Sequence, residues 1–240
     1  MNPALILLPY FNRPKLLRNA LLSVKNLDDP NWVLAFIDDA SPTEEGLDVL
    51  KEILGDEILQ GKVRIYRVSR EEKVSLNWTT PPRYMNKAIR ETESDLVMIL
   101  CDDDALLPDY LTRCREYFYV TNPQAIYGYS SLIPFYPPEE TPGPHLPIRD
   151  FWTNHEVDAC PVNNIDASQV VWVRYVQLER GIWFAENRQF DHDAGLWEAM
   201  WHQGYGLCPF MGFFGQYKAF HPKQLTHLKG VTDFQISRDV

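Results

Sequence analysis

Paired cysteines are missing from this sequence. Its four cysteines, Cys101, Cys114, Cys160 and Cys208, show no C-x-x-C spacing, which argues against a zinc knuckle, a dithiol redox motif or a disulfide scaffold. Long apolar runs are missing too. The longest near the N-terminus is "ALILLP", residues 4–9, too short for a membrane span or a signal-peptide core, so the chain reads as soluble and cytoplasmic. Positive charge is scarce: 23 Lys and Arg against 33 Asp and Glu leave a formal net charge of -10. A surface of that sign is a poor partner for nucleic acid unless a local basic groove forms, for which Arg174, Arg180 and Arg188 are the candidates. The glycine signatures are absent as well, with no G-x-G-x-x-G and no G-x-x-x-x-G-K-S/T. A dinucleotide dehydrogenase and a P-loop kinase are thereby disfavoured. Without H-E-x-x-H or G-x-S-x-G, zinc-protease and serine-hydrolase readings lose their main supports.

What is present is ordinary globular material. Hydrophobic residues make up 45% and charged residues 23% of 240 positions, enough for one large α/β domain with a sizeable core. "ALILLP" reads as a strand buried on both faces. Asn12 is placed to cap the helix that follows, Pro14 suits its first turn, and Leu17, Ala20, Leu21 and Val24 recur at helical spacing. "WVLAFIDD" (32–39) is a second strand, Leu47, Leu50 and Leu54 mark a second helix, and "KVRIYRV" (62–68) alternates like a more exposed strand. A helix around "PRYMNKAIRET" leads to the apolar strand "DLVMILC" (95–101), after which Pro108 starts another helix. Alternating strands and helices predict a mostly parallel sheet, with ligands at the carboxyl ends of its strands.

Six of the 18 prolines fall in "PFYPPEETPGPHLP" (134–147), which predicts a loop dividing the chain. The expected organisation is residues 1–133, a Pro-rich loop over 134–150, and residues 151–240, all within one continuous domain. In the last part, "SQVVWVRYV" reads as a strand or short helix and "DAGLWEAMWHQGYG" as a helix ending near Gly204. Trp152, Trp172, Trp183, Trp197 and Trp201 crowd this half. They suit packing at least as well as a sugar platform.

Three strand ends carry polar groups: "PYFN", "DDAS" and "DDDA". In "MILCDDDALLPDYL", Asp102, Asp103 and Asp104 lie side by side although like charges repel. In an extended segment Asp102 and Asp104 point the same way, which suits Mg2+ or Mn2+ held by one or two carboxylates plus a substrate phosphate. The plainer reading is a solvated turn capping the next helix. In "FIDDASP", Asp38 or Asp39 is placed to accept hydrogen bonds from a base or ribose, with Ser41 nearby, or else forms an Asp-Ser-Pro turn.

Taken together, these strand ends resemble the GT-A glycosyltransferases, especially family 2. "LILLPYFNRPKLLRNALLSV" is similar to that family's opening strand and helix with its I-P-x-Y/F-N-R core, "FIDDASP" to its V-D-D-x-S segment, and "YMNKAIRETESDLVMILCDDDALLPDYL" to its A-R-N-x-G helix leading into L-D-x-D-D. The resemblance implies a GT-A fold: a Rossmann-like, mostly parallel central sheet flanked by helices, with a C-terminal acceptor-binding portion. It implies that Pro9 and Tyr10 line the nucleotide pocket, Asp39 contacts the base, and Asp102 and Asp104 form the D-x-D pair with Asp104 on the metal. The same motifs extend the donor-binding set to Asn12, Arg13, Asp38, Ser41, Asn86 and Asp103. Met85, Ala88 and Ala105 depart from the family pattern, and Arg83 either supplies the cation missing at Met85 or is a surface residue.

Further along, "FDHDAGLWEAMWHQGYGLCP" resembles the segment where the family writes E-D before a helix ending in G-Y. Alignment on Gly204 and Tyr205 implies Asp193 as catalytic base, with Asp191 as the alternative. Asp193 can equally cap the helix it begins. Among six histidines, His221 is implied as a third metal ligand by its late position, ahead of His227, the plainer reading of either being a hydrogen-bonded structural histidine.

The implied activity is transfer of a sugar from a nucleotide diphosphate donor, UDP-linked before others, to an acceptor hydroxyl. Mn2+ or Mg2+ is the expected cofactor and inversion the expected outcome. The acceptor stays open among a glycan, a small molecule, a protein side chain and a modified nucleobase. A sugar-phosphate nucleotidyltransferase is the alternative enzyme, although the loop "PYFNRPK" lacks the glycines that hold a triphosphate. A non-catalytic carbohydrate-binding domain is the alternative outside enzymes.

Overall fold

The computed structural model describes residues 1–76, 80–135, 165–187 and 192–219. It opens with β1 (Ala4–Tyr10), α1 (Pro14–Lys25), β2 (Trp32–Asp38), α2 (Glu45–Leu59) and β3 (Val63–Arg67). Next come α3 (Arg70–Ser75), α4 (Thr80–Glu91), β4 (Leu96–Ile99), the two-residue β5 (Ala105–Leu106) and α5 (Tyr110–Glu116). A π-helical turn, Tyr117–Thr121, continues α5, and β6 (Tyr127–Phe135) follows. The later part supplies β7 (Val170–Val173), α6 (Tyr175–Arg180), α7 (His192–His202) and β8 (Phe210–Ala219).

The eight strands among the described residues form one sheet in the order β3-β2-β1-β4-β7-β6-β8-β5. The pairs β1–β2, β1–β4, β2–β3 and β6–β8 are parallel. Antiparallel pairing joins β4–β7, β6–β7 and β5–β8. Strands from the later part of the chain therefore sit between strands from the earlier part. The sheet order steps outward from β1 through β2 to β3, then returns to β4 on the other side of β1. That reversal is where an open α/β sheet leaves a crevice at the carboxyl ends of its strands.

The period of two along β1 divides its side chains between two cores. Ala4, Ile6, Leu8 and Tyr10 join Leu17, Leu21 and Val24 of α1, Leu47, Leu50 and Leu54 of α2, and Tyr110 and Leu111 of α5. Leu5 and Leu7 face the other way, onto Met85 and Ile89 of α4, Val176 of α6, and Leu196, Trp197 and Met200 of α7. Burial on both faces explains why β1, β2 and β4 read as continuous apolar runs. Trp172 and Trp197 meet edge to face at 5.6 Å in the second core, whereas Trp201 is exposed.

Local signals place most elements, with particular departures. Pro14 begins α1 as its spacing predicts, but Asn12 is not the cap: Arg13 occupies that position without a side-chain cap bond, because Asn12 takes a left-handed conformation at φ 49°. "SQVVWVRYV" contains both a strand and the start of a helix, β7 and α6. No local pattern predicts β6 or β8, and β6 runs through Pro134 into the expected loop. At Gly215 of β8 an added Cβ would lie 1.7 Å from the Ser131 carbonyl oxygen, beside a register shift between β6 and β8. Only glycine permits that approach. The stretch 136–150 lies outside the described residues. No described helix is long and apolar enough to cross a membrane.

Candidate active site

The ends of β2, β1 and β4 lie side by side because the three strands are parallel neighbours. Main-chain bonds carry the alignment past the strands: Leu100 N–H donates to Leu7 at 2.9 Å and Asp39 N–H to Tyr10 at 2.9 Å. The buried Asp38 carboxylate accepts from Ser41 N–H at 3.0 Å, closing an Asx-type turn through Ala40 at φ 63°. Ser41 Oγ in turn accepts from Asn12 N–H at 3.0 Å. The loop after β2 thus holds the loop after β1.

The acidic run is a turn, with Asp104 N–H donating to Cys101 at 3.1 Å. Alternation of side chains, which holds for an extended segment, does not apply to this turn. Asp102 faces Arg13: its Oδ1 pairs with one terminal guanidinium nitrogen, and its Oδ2 accepts from Arg13 Nε at 3.3 Å and Phe11 N–H at 3.2 Å. The other terminal nitrogen of Arg13 reaches Asp103 Oδ2 at 2.9 Å. Asp103, Asp104 and Cys101 form the group whose ligand atoms all lie within 4.8 Å of one another.

These three aspartates are 1%, 5% and 0% exposed, so their charges are costly unless balanced. Burial alone would disfavour a charged Arg13, but Asp102 and Asp103 hold its guanidinium firmly protonated. Burial pushes the Asp102 carboxyl up to about 6, with Arg13 opposing and Asp103 adding to the rise. Asp102 and Asp103 share the Arg13 guanidinium, and with buried Asp104 in the same turn these residues fit a site that also takes a divalent cation. Two carboxylates suit hard Mg2+ or Mn2+, and a neighbouring thiol is tolerated better by Mn2+.

A second polar cluster surrounds Asp39. Lys73 Nζ donates to its Oδ2 at 2.7 Å and to its carbonyl at 2.8 Å, while Thr80 Oγ1 donates to Oδ1. The same ammonium lies 4.2 Å from the centre of the Phe11 ring. Burial raises the Asp39 carboxyl above its ordinary range, although Lys73 and Thr80 pull it down. Sequence reasoning missed Lys73 and Thr80. Lys73 belongs to "SREEKVS", which reads as a solvated helix, and nothing local marks it as buried.

The other candidates divide. Pro9 is half-buried at the end of β1. The Tyr10 ring stacks on Phe36 at 5.4 Å and lies where a Cβ on Gly46 of α2 would be, at 2.3 Å. The Asn86 side-chain amide donates to the Phe184 carbonyl at 3.0 Å and Glu186 at 2.9 Å, and accepts from Phe184 N–H at 3.1 Å, so it ties α4 to the irregular segment that follows α6. Arg83 is exposed on α4, and among the described residues no hydrogen bond or ion pair joins it to the acidic turn. Asp193 is half-buried in the first turn of α7. Asp191, His221 and Arg188 lie outside the described residues. Arg174 bonds the carbonyls of Ile89 and Arg90 at 2.9 and 3.3 Å, closing the end of α4 instead of contributing to a free basic groove.

Comparison with known proteins bears on this arrangement. The model described as Glycosyl transferase family 2 matches residues 5–165. No curated protein sequence matches the chain. Among solved structures, S. aureus TarS in complex with UDP-GlcNAc is similar with a TM-score of 0.66 at 12% identity, over 96% of this chain and 62% of that one. S. aureus TarS in complex with UDP gives 0.64 at 14% identity, over 92% and 61%. The mannosyltransferase PcManGT from Pyrobaculum calidifontis, in complex with GDP-Man and Mn2+, gives 0.63 at 15% identity, over 93% and 59%. The chain spans about three fifths of the length of these relatives, and at such identities the likeness is one of fold.

Proposed function

The chain belongs to glycosyl transferase family 2, and from that premise we propose that it is a metal-dependent enzyme moving a sugar from a nucleotide diphosphate donor to an acceptor hydroxyl. The observation that carries this reading is the buried acidic turn at the switch point between β1 and β4, with Asp103, Asp104 and Cys101 grouped within 4.8 Å. A UDP-sugar is the first donor to test, because TarS was solved with UDP and UDP-GlcNAc. GDP-mannose is the second, after PcManGT.

Asp104 and Asp103 are the residues that would hold Mn2+ or Mg2+. Such a cation, when bound, neutralises the charge that develops on the departing diphosphate. His221 remains a proposed third ligand. Strand β8 supports it by pairing Tyr217 with Ala105, the neighbour of Asp104, and His221 follows four residues after Tyr217. Asp39, Asp38 and Ser41 frame the base and ribose end. Asp193 takes the proton of the acceptor hydroxyl as that oxygen attacks the anomeric carbon, and attack opposite the leaving diphosphate inverts the configuration. Asp191 is its alternate.

Calorimetric titration with UDP, GDP, CDP and dTDP, with and without Mn2+, tests this reading. One nucleotide binding tightly only with metal is the expected result, and Asp104→Ala should lose that binding. Asp193→Ala should keep nucleotide affinity within about twofold and lower transfer by about a hundredfold or more. Absence of binding by all four nucleotides, or equal affinity of Asp104→Ala and the parent protein for nucleotide with metal, would overturn the proposal.

A further inference from the structure

Arg13 has the charge and position of a diphosphate ligand, yet its three guanidinium nitrogens are directed elsewhere. Nε and one terminal nitrogen embrace both oxygens of Asp102, and the other terminal nitrogen holds Asp103 Oδ2 at 2.9 Å. The fork geometry of a guanidinium suits this work, since one planar group fixes a carboxylate bidentately and still reaches a second. The Arg13 side chain is 29% exposed, whereas those of Asp102 and Asp103 are 2% and 5% exposed, so the contact lies inside the crevice.

The contact also crosses the topological break. Arg13 belongs to the loop after β1 and Asp102 to the turn after β4, 89 residues later. Phe11 N–H adds a second tether to Asp102 at 3.2 Å. On its other side, the Arg13 loop is held through Asn12 N–H by Ser41, which bonds Asp38. A continuous set of bonds therefore runs from the end of β2, through the loop after β1, to the carboxylates after β4.

We propose that Arg13 is a positioning residue for the cation site: it occupies Asp102, fixes the orientation of Asp103, and leaves Asp103 and Asp104 turned toward the metal, without itself touching the donor diphosphate. Asp102 then belongs to the support of the site and not to its ligand set. Outer partners of this kind set metal affinity because they orient the ligating oxygens before the ion arrives. The inference rests on the glycosyltransferase reading above, since it presumes that the acidic turn takes a divalent cation with the donor.

The test uses the full chain with UDP first, or whichever of the four nucleoside diphosphates binds. Mn2+ affinity of the protein–nucleotide complex is read from free Mn2+ by electron paramagnetic resonance. Nucleotide affinity without metal is read by calorimetry. Arg13→Gln should weaken Mn2+ by about tenfold or more and leave metal-free nucleotide affinity within about twofold. Arg13→Lys, a point charge without the fork, should recover part of the Mn2+ affinity. Asp102→Asn should weaken Mn2+ less than Asp104→Ala does. An Arg13→Gln protein with parental Mn2+ affinity, or with nucleotide affinity lost equally with and without metal, overturns the positioning role while leaving the glycosyltransferase reading intact. A parent protein that binds neither nucleotide nor Mn2+ overturns both. Should Arg13→Gln fail to fold because Asp102 is left buried without its partner, Arg13→Gln/Asp102→Asn removes that charge. The double variant should still bind Mn2+ about tenfold more weakly than the parent, and parental affinity in it overturns the proposal.

Discussion

Asn86 makes three hydrogen bonds to residues 98 and 100 positions away, and it is 1% exposed. Asn86→Ala leaves the Phe184 main chain without these partners in a dry setting. The expected loss is about 2–4 kcal/mol, seen as a lower urea midpoint at unchanged slope. A nucleotide-binding Asn86 would instead raise the donor Kd with stability unchanged. Asp39 offers a titration at the same scale. Its folded-state carboxyl is raised, by burial first, above the ordinary value, so the folded chain holds that proton more readily than the unfolded chain. The contribution is present below the unfolded pKa and is lost as pH rises through the folded one. Thermal melts from about pH 4 to about pH 7 should show a negative component of stability against pH that Asp39→Asn removes. An identical slope in the variant would contradict the raised value.

At the scale of elements, the close approach of β6 and β8 depends on one missing side chain. A Cβ at Gly215 meets the Ser131 carbonyl oxygen at 1.7 Å, and backbone cannot move aside as a flexible side chain can. Gly215→Ala should cost about 3 kcal/mol or more, measured by chemical unfolding. Because β8 also pairs with β5 next to Asp104, the same variant should weaken metal-dependent nucleotide binding. Elements with strong local signals are those the sequence marks: α1 has Pro14 at its start and Leu17, Leu21 and Val24 on its buried face, and β4 is wholly buried. Strand β8, "FMGFFGQYKA", interrupts its apolar residues with two glycines and carries Gln216 and Lys218 near its end. Its strand character comes from pairing with β6 on one side and β5 on the other.

Across the whole molecule, one sheet joins strands from both ends of the described chain and separates two cores. Under the proposed function, a nucleotide and Mn2+ binding at the crevice should stabilise this unit by mass action. At a concentration about 100 times Kd the gain is about 2.7 kcal/mol, which should appear as a higher melting temperature in a single transition. Removal of the metal with a chelator, or Asp104→Ala, should cancel the shift. A shift that survives both would place the nucleotide away from the acidic turn.

The alternation of strands and helices from β1 to β4, the three polar strand ends and the family resemblance are legible in the sequence, because apolar period, caps and turn residues act over a few neighbouring positions. Tertiary structure alone decides what those strand ends do to one another. Arg13 meets Asp102 across 89 positions, Lys73 meets Asp39 across 34, and Asn86 meets Phe184 across 98. No local pattern encodes such pairings. They arise when parallel strands bring distant loops to one edge, and burial there requires each charge or amide to find whichever partner the packing has placed beside it.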